Sequence, residues 1–567
     1  MFHLKLTQKM NRYIKFLFSI TFFMSLSVGC SDDFLDEEVL DAYAPETLTD
    51  QLGFEAAAIG LHNHFSTLLT TTDDQTLLGM FQLGTDIVWA PSGRSNGNAR
   101  PYFDYSTLTS TDEGSRKLWT YLFKMVNNAN VLISNAEGGE AIGMSDEELN
   151  AYNAEAKFFR AYAYNMFATL YGGVPVVTEP LTAPKTDFVR NSVSEVNSLV
   201  ESDLLYAITN LPNINEVTYE ARVNQSMARQ LLAEYYLRTD EPAKAEEQCD
   251  AIINSGNFSL VTERYGVSSS EEGDAFSDMF LFGNQRRSEG NTEAIWVMEQ
   301  ENPTDVTGGS SGYPQQRRVW GAAYHDITGM VPIDTLGGRG LGRIRLNDWV
   351  LYNLYEDGDM RNSQFSIHRQ HYFNNPDTKY DAIRGVAIPY GEDAEFDLGN
   401  GESVKIFASD TVYKLTPYTL KWGQFDSRDT FGYGMWKDFI LMRLGETYLL
   451  RAEARFKQGN TSGAASDINL LRERANASTV DASDITLDFI LDERARELLA
   501  EENRRMTLIR TGTLIKRATT LNGTSIRADG NIETTNGLDE HHLLLPIPQT
   551  EINLNKDADL EQNPGYN

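Results

Sequence analysis

Apolar residues recur at spacings of three and four positions in three stretches of the chain, at 154–171, 231–245 and 450–464. This period matches a helical turn, so each stretch is predicted to form a helical hairpin with a neighbouring segment. The last two stretches superimpose at an offset of 219 residues, sharing an Ala-Glu pair and another alanine twelve positions later. Small residues there let paired helices approach closely, so the pattern predicts stacked, tetratricopeptide-like hairpins.

Two other parts of the chain, at about 85–115 and 265–437, lose this period and are rich in Gly, Pro, Ser and aromatic residues. Long loop-rich insertions in a rigid scaffold usually carry function. We therefore expect both parts to form one binding lobe. The prediction is a single domain over 49–567, with its helical scaffold mainly at 49–84, 116–264 and 438–567.

The first thirty residues differ in kind from the rest. Four basic residues precede an apolar run at 16–28, the pattern of a secretory signal peptide. At 1.5 Å per residue, this run is too short to cross about 30 Å of hydrocarbon as a helix. Small residues at 26–29 then precede Cys30, which resembles a bacterial lipobox.

We expect residues 1–29 to be removed and Cys30 to carry the lipid anchor, the alternative being a cysteine that happens to follow a signal peptide. Residues 30–48 would then form a lipidated acidic tether. Its segment 31–38 resembles the acidic export signal of Bacteroidetes lipoproteins that face the cell exterior. A solvated acidic linker is the other reading of that segment.

Net charge and cysteine content exclude several classes of function. The chain has 49 basic and 81 acidic residues, a formal charge of -32, and removing the four basic residues of 1–29 leaves 45 against 81, or -36. Such a surface repels a phosphate backbone, which argues against a nucleic-acid partner. Only Cys30 and Cys249 are present, so a lipidated Cys30 leaves no disulfide and no cysteine metal cluster.

Blocks of sequence in a fixed order across nearly the whole mature chain resemble the SusD/RagB family of nutrient-binding outer-membrane lipoproteins. The blocks lie at 30–36, 119–133, 154–175, 293–296, 439–454, 490–498, 504–510, 545–548 and 559–566. Each block alone is weak evidence for the family, but the blocks in this order are specific to it.

The resemblance implies an all-α fold of about four tetratricopeptide-like helix pairs with an inserted loop-rich ligand-binding lobe. It also implies a partner, a SusC-like TonB-dependent transporter in the outer membrane. Family members capture oligosaccharides, or sometimes peptides, and deliver them to that transporter without cutting them. By this resemblance the chain is expected to be a non-enzymatic, lipid-anchored glycan-binding protein, with RagB-like peptide uptake as the alternative.

Candidate binding residues follow from the chemistry of sugars. A sugar ring has an apolar C–H face and a rim of hydroxyl groups, so its site needs flat aromatic platforms beside hydrogen-bonding side chains. Two tryptophans of the lobe have such neighbours in sequence. The predicted ligand-binding residues are Trp89 with Asp86 and Asn96, and Trp320 with Tyr313 and Arg317. The alternative for each tryptophan is a buried ring that closes the lobe.

Catalytic and metal motifs are weak. A Gly-x-Ser-x-Gly match at 308–312 lies between prolines instead of between a strand and a helix, which favours a flexible loop. His368 and His371 are three residues apart but have no third ligand in sequence. Residues 529–540 have calcium-loop spacing, yet Thr534 stands where the turn needs glycine. We therefore expect no metal, cofactor or catalytic residue.

Two other functions remain open from the sequence. A surface glycoside hydrolase would need two carboxylates across a cleft, and 81 acidic residues offer no reason to select a pair. A pure adaptor that only stabilises the transporter would need no ligand lobe, and the large lobe argues against it.

Overall fold

The structure is a computed structural model that describes residues 48–70, 75–90, 97–138, 141–301, 314–332, 338–423, 434–522 and 535–566. Helices dominate it, as the sequence predicts. In chain order, helices α1 to α17 are Gln51–Ser66, Thr76–Met80, Glu113–Gly138, Asp146–Leu170, Val193–Asn210, Gln225–Arg238, Pro242–Ile253, Ala275–Asp278, Gln316–Trp320, Asp348–Tyr352, Ala408–Lys414, Leu444–Lys457, Thr461–Arg474, Leu487–Glu497, Arg504–Arg510, Leu514–Leu521 and Gln549–Leu554.

The strands are short and pair in twos. Strands β1 to β10 are Val88–Trp89, Ala294–Met298, Arg345–Leu346, Ile367–His368, His371–Tyr372, Ala387–Ile388, Ala394–Asp397, Ser403–Ile406, Tyr418–Thr419 and Phe439–Arg443. The pairs β1–β3, β2–β10, β4–β9, β5–β6 and β7–β8 are all antiparallel. All but β10 belong to the loop-rich parts of the chain, so the strands fold the lobe into compact units.

The long helices pack in sequence order and build the scaffold. Helix α4 packs between α3 and α5, α6 packs on α7, and α12 contacts α7, α13 and α14. Capping boxes at Ser145–Glu148 and Ser192–Glu195 start α4 and α5. The position of Gly172 in the sequence predicts the end of α4. In the structure Gly172 lies just beyond that helix with a φ of 77°, a conformation that suits glycine. None of the helices in the described residues has the length and apolar character needed to cross a bilayer.

The predicted repeat is confirmed. Helices α6 and α12 begin at Gln225 and Leu444, and α7 and α13 begin at Pro242 and Thr461, so both starts differ by 219 residues. The four alanines of the shared pattern are fully buried: Ala233, Ala245, Ala452 and Ala464. Their small side chains let the paired helices pack closely.

A buried ion-pair network, here called the Glu497 network, joins the scaffold to the lobe. Glu497 at the end of α14 accepts from Arg443 at 2.6 Å and from Arg361 at 3.2 Å, and it also pairs with Arg474. Arg474 in turn reaches Glu293, just before β2, at 2.5 Å. Burial alone would raise the pKa of Glu497, but the three guanidinium groups hold that pKa well below its ordinary value.

Candidate functional site

Trp89 is covered by other side chains of the lobe. It pairs with Arg345 across strands β1 and β3. The Arg345 guanidinium lies 5.5 Å from the Trp89 ring centroid, and the Tyr413 ring meets the indole edge-on at 6.3 Å. Only 2% of Trp89 is exposed. The expectation of a solvent-facing platform at this residue is therefore corrected, because strand pairing turns the ring into the lobe.

Trp320 is also buried, with 3% of its surface exposed. It ends helix α9 and lines a partly open cavity of about 180 Å³ together with Trp296 and Trp422. Arg317, one turn earlier, is buried as well and donates to the backbone carbonyl of Gly434 at 2.5 Å. The prediction that these two side chains lie at an open sugar site is corrected, since the helix packs them inward.

Asp86 is a structural residue in this fold. Its carboxylate is fully buried and accepts from Arg504 at 2.8 and 2.7 Å and from Arg517 at 2.6 Å. Burial would raise the pKa of Asp86, yet the two guanidinium groups lower it below its ordinary value. The predicted role in ligand binding is corrected, because the buried carboxylate is committed through three hydrogen bonds to the joint between β1 and helices α15 and α16.

The remaining predicted site residues, Cys30, Asn96 and Tyr313, lie outside the described residues. Their roles stay predictions.

An exposed aromatic side chain lies instead on helix α10, which follows strand β3. Trp349 donates its indole N–H to the carbonyl of Asp86, and the Arg517 guanidinium lies 5.6 Å from its ring centroid. These contacts fix the half-buried indole against the scaffold. Tyr352, three residues later and therefore on the same side of the helix, is 60% exposed. Tyr352 thus presents a ring to solvent on a rigid base.

Two charged side chains act electrostatically on Tyr352. Partial burial and the Asp348 carboxylate raise the pKa of Tyr352, while the Arg369 guanidinium acts in the opposite direction. Arg369 is held in place by the carbonyl of Leu351 at 2.9 Å and by Asn362 at 2.7 Å. Burial and the same neighbours, Tyr352 and Asp348, raise the pKa of Tyr390.

We call Asp348, Trp349, Tyr352, Arg369 and Tyr390 the Tyr352 face. It combines an exposed ring, an acceptor carboxylate and a donor guanidinium, the set that a sugar ring and its hydroxyl groups require. Other exposed aromatic residues of the lobe include Phe282, Tyr372 and Phe407, which lie away from α10 in the sequence.

Few groups of side chains in the part of the chain that the structure describes could bind a metal ion. His368 and His371 have ring centroids 4.6 Å apart, and no third acidic, cysteine or histidine ligand joins them there. Among the described residues, the one group of three possible ligands comprises Asp539, His541 and His542. Its His542 Nδ1 already accepts the backbone N–H of Asp539 at 3.1 Å, so the group serves as a turn cap.

Comparison with known proteins decides the family. A family model described as SusD family matches residues 292–566, and another, described as starch-binding associating with outer membrane, matches residues 63–237. The chain belongs to the SusD/RagB family. Both matches fall on the helical scaffold and the lobe described above.

SusD/RagB relatives align over most of this chain. SusD-like protein P25 of Formosa agariphila is 24% identical over 94% of this chain and 95% of its own length. Starch-binding protein SusD of Bacteroides thetaiotaomicron is 26% identical over 82% of this chain and 81% of its own.

Solved SusD-like structures share the fold. Surface glycan-binding protein A of Bacteroides thetaiotaomicron, in complex with laminarihexaose, superimposes with a TM-score of 0.67 at 19% identity and covers 91% of this chain and 100% of its own. A laminarin-binding SusD-like protein gives a TM-score of 0.65 at 19% identity, with the same coverage. The all-α scaffold with an inserted lobe is thereby confirmed.

Sequence reasoning missed the Tyr352 face of this SusD/RagB protein because it ranked tryptophans alone. A usable signal was present. Trp349 and Tyr352 are three residues apart, a spacing that places two aromatic rings on one side of a helix, and Asn347, Asp348 and Asn353 flank them with polar groups.

Proposed function

We propose that this protein is a cell-surface oligosaccharide-binding lipoprotein that captures nutrient glycans and delivers them to a SusC-like TonB-dependent transporter without catalysis. The observation that carries the proposal is the end-to-end likeness to SusD-like proteins, including one named for starch binding and one solved with laminarihexaose. The Tyr352 face supports it with matching surface chemistry.

Binding at the Tyr352 face would use two complementary contacts. The exposed tyrosine ring stacks on the C–H face of one sugar, while Asp348 accepts from and Arg369 donates to its hydroxyl groups. Aromatic contacts of this kind contribute about 0.5 to 1.5 kcal/mol beyond the area they bury, so one platform gives moderate affinity. Moderate, reversible binding suits a protein that must pass its ligand onward.

The proposed location follows from the N-terminus and the family. Cys30 would carry the acyl chains, and the acidic segment 31–38 would direct the lipoprotein to the outer face of the outer membrane. The family-model description, associating with outer membrane, supports this location. The helical scaffold would leave the lobe open to solvent above the transporter.

The proposal is tested with the mature chain from Ser31 onward, titrated by calorimetry with laminarihexaose, starch oligosaccharides, other polysaccharides and a peptide panel. We expect saturable binding to one class of glycan and no release of new reducing ends during prolonged incubation. Binding to peptides alone would instead indicate a RagB-like peptide carrier. New reducing ends on the bound glycan would contradict the absence of catalysis.

The partner is tested by isolating the lipidated protein from native outer membranes in mild detergent. We expect a TonB-dependent barrel to co-purify. Recovery of the lipoprotein alone, under conditions that keep other outer-membrane complexes intact, would contradict the proposed transporter partnership.

A further inference from the structure

A partly open cavity lies between the lobe and the scaffold, apart from the residues of the Tyr352 face. Its volume is about 180 Å³, and its walls include residues of α1, α2, α4, α6, α9, α12, α15, β2 and β10. Three tryptophans, Trp296, Trp320 and Trp422, line it together with aliphatic side chains. Four glutamates also line it, Glu234, Glu446, Glu501 and Glu502, and we call the space the Glu234 cavity.

Glu234 occupies the repeat position that corresponds to Glu453, 219 residues later. The two glutamates have different partners. Glu453 is fully buried and binds Arg510 through both oxygens, at 2.5 and 2.9 Å. Among the described residues, no hydrogen bond or ion pair reaches the carboxylate of Glu234. The same scaffold position therefore has a cation in one hairpin and lacks one in the other.

The nearby cations are committed to other carboxylates. Arg494 pairs with Glu446 at 2.9 Å and with Glu502 at 2.8 Å, and Arg510 pairs with Glu453. Burial and the adjacent Glu446 raise the pKa of Glu234 to about 7. Arg510 and Arg494 act on that pKa in the opposite direction without bonding to Glu234, so the cavity wall contains a half-buried carboxyl group with no ion-pair partner among the described residues.

A second acceptor in the wall is also unsatisfied. Gln82 is 7% exposed and donates its amide N–H to the carbonyl of Glu502 at 2.7 Å. Its Oε1 atom is buried without a hydrogen-bond partner. Buried acceptors are normally paired, so this enclosed oxygen adds unsatisfied negative potential at the wall, which favours a cation in the cavity over a neutral ligand.

We propose that the Glu234 cavity binds a small organic cation, an ammonium group on an apolar or aromatic body. The ammonium would donate to Glu234, and the apolar or aromatic body would contact the three tryptophan side chains. A cavity of about 150 Å³ accommodates benzene, so this volume suits a single ring with a short aminoalkyl chain. The proposal does not depend on the glycan site.

The probe is benzylammonium, compared with benzyl alcohol and benzoate of nearly the same shape. Binding to the mature chain at pH 8 is followed by calorimetry and by tryptophan fluorescence. We expect saturable binding of benzylammonium at least about tenfold tighter than that of benzyl alcohol, and no binding of benzoate, because a buried ion pair needs the positive charge.

Two variants with the same change in charge locate the site. Glu234→Gln should abolish the preference for benzylammonium over benzyl alcohol, whereas Glu247→Gln, on the exposed side of α7, should keep it. Benzyl alcohol binding to Glu234→Gln shows that the cavity is still folded and accessible. Equal affinity of the wild type for both probes, no binding of either, or an unchanged preference in Glu234→Gln would each overturn the proposal.

Discussion

Single residues show where long-range packing decides the role of a side chain. A polar stretch soon after Asp86 in the sequence suggests an exposed position. The Asp86 carboxylate is nevertheless bound by Arg504 and Arg517, which lie more than 400 positions later. Such a pairing cannot be read from local sequence. A buried charge that loses its partner is costly, so residues of this kind govern stability.

Replacing Asp86 by Asn should destabilise the protein by about 3 kcal/mol, because two buried guanidinium groups lose a shared counter-charge and keep only Glu502 and the half-exposed Asp488 and Asp492. Chemical denaturation with a two-state fit measures the change. Asp410→Asn, which removes a surface i,i+4 partner of Lys414, is the matched control and should cost less than about 1 kcal/mol. Equal effects of the two substitutions would contradict the assigned role of Asp86.

Glu234 should make stability depend on pH in the opposite sense to a paired carboxylate. The pKa of Glu234 is raised to about 7 in the folded state. Its contribution to the free energy of unfolding is therefore present at low pH and is lost as the pH rises through that value. Glu234→Gln should therefore match the wild type near pH 4, below the ordinary pKa of a glutamate, and exceed its free energy of unfolding by about 1 to 2 kcal/mol at pH 8. A variant less stable than the wild type at pH 8 would be inconsistent with an unpaired carboxylate.

At the scale of elements, the helical hairpins were predictable because their signal is local. A period of 3.6 residues, buried alanines and glycine at a helix end are all contained within about thirty residues of sequence. Trp89 was not predictable in the same way, since its burial depends on pairing with Arg345, far along the chain. Tyr352 could have been selected from the local sequence, because it lies three residues after Trp349.

The close approach of α12 and α13 should tolerate no larger side chain at Ala464. Ala464→Leu should cost about 1 to 3 kcal/mol, because overpacking displaces the paired helix. Ser466→Leu introduces the same side chain at an exposed position of α13 and should change stability by less than about 0.5 kcal/mol. Thermal and denaturant unfolding of both variants measure the difference. Similar stability of the two would argue against close helix packing at Ala464.

At the scale of the whole molecule, the Glu497 network and the β2–β10 pair connect the lobe to the scaffold. Glu497→Gln leaves three buried guanidinium groups short of one negative charge, and we expect a loss of about 3 to 5 kcal/mol in a single cooperative transition. If the lobe instead unfolded separately from the scaffold, the network would not couple the two parts.

A rigid connection of this kind gives the Tyr352 face a fixed support, as a binding surface needs. Family blocks along the sequence were enough to predict the scaffold, the inserted lobe and the class of function. They could not predict which aromatic ring faces solvent, because that depends on how the lobe packs.

The most direct test of the central claim is a calorimetric comparison of the wild type, Tyr352→Ala and Tyr372→Ala on the glycan selected by the screen. Tyr372 is an exposed tyrosine of β5 outside the Tyr352 face, and circular dichroism checks that all three proteins are folded. We predict binding about 5- to 30-fold weaker for Tyr352→Ala, as expected from the loss of about 1 to 2 kcal/mol, and unchanged for Tyr372→Ala. Wild-type affinity in Tyr352→Ala would contradict the assignment of the Tyr352 face as the glycan site.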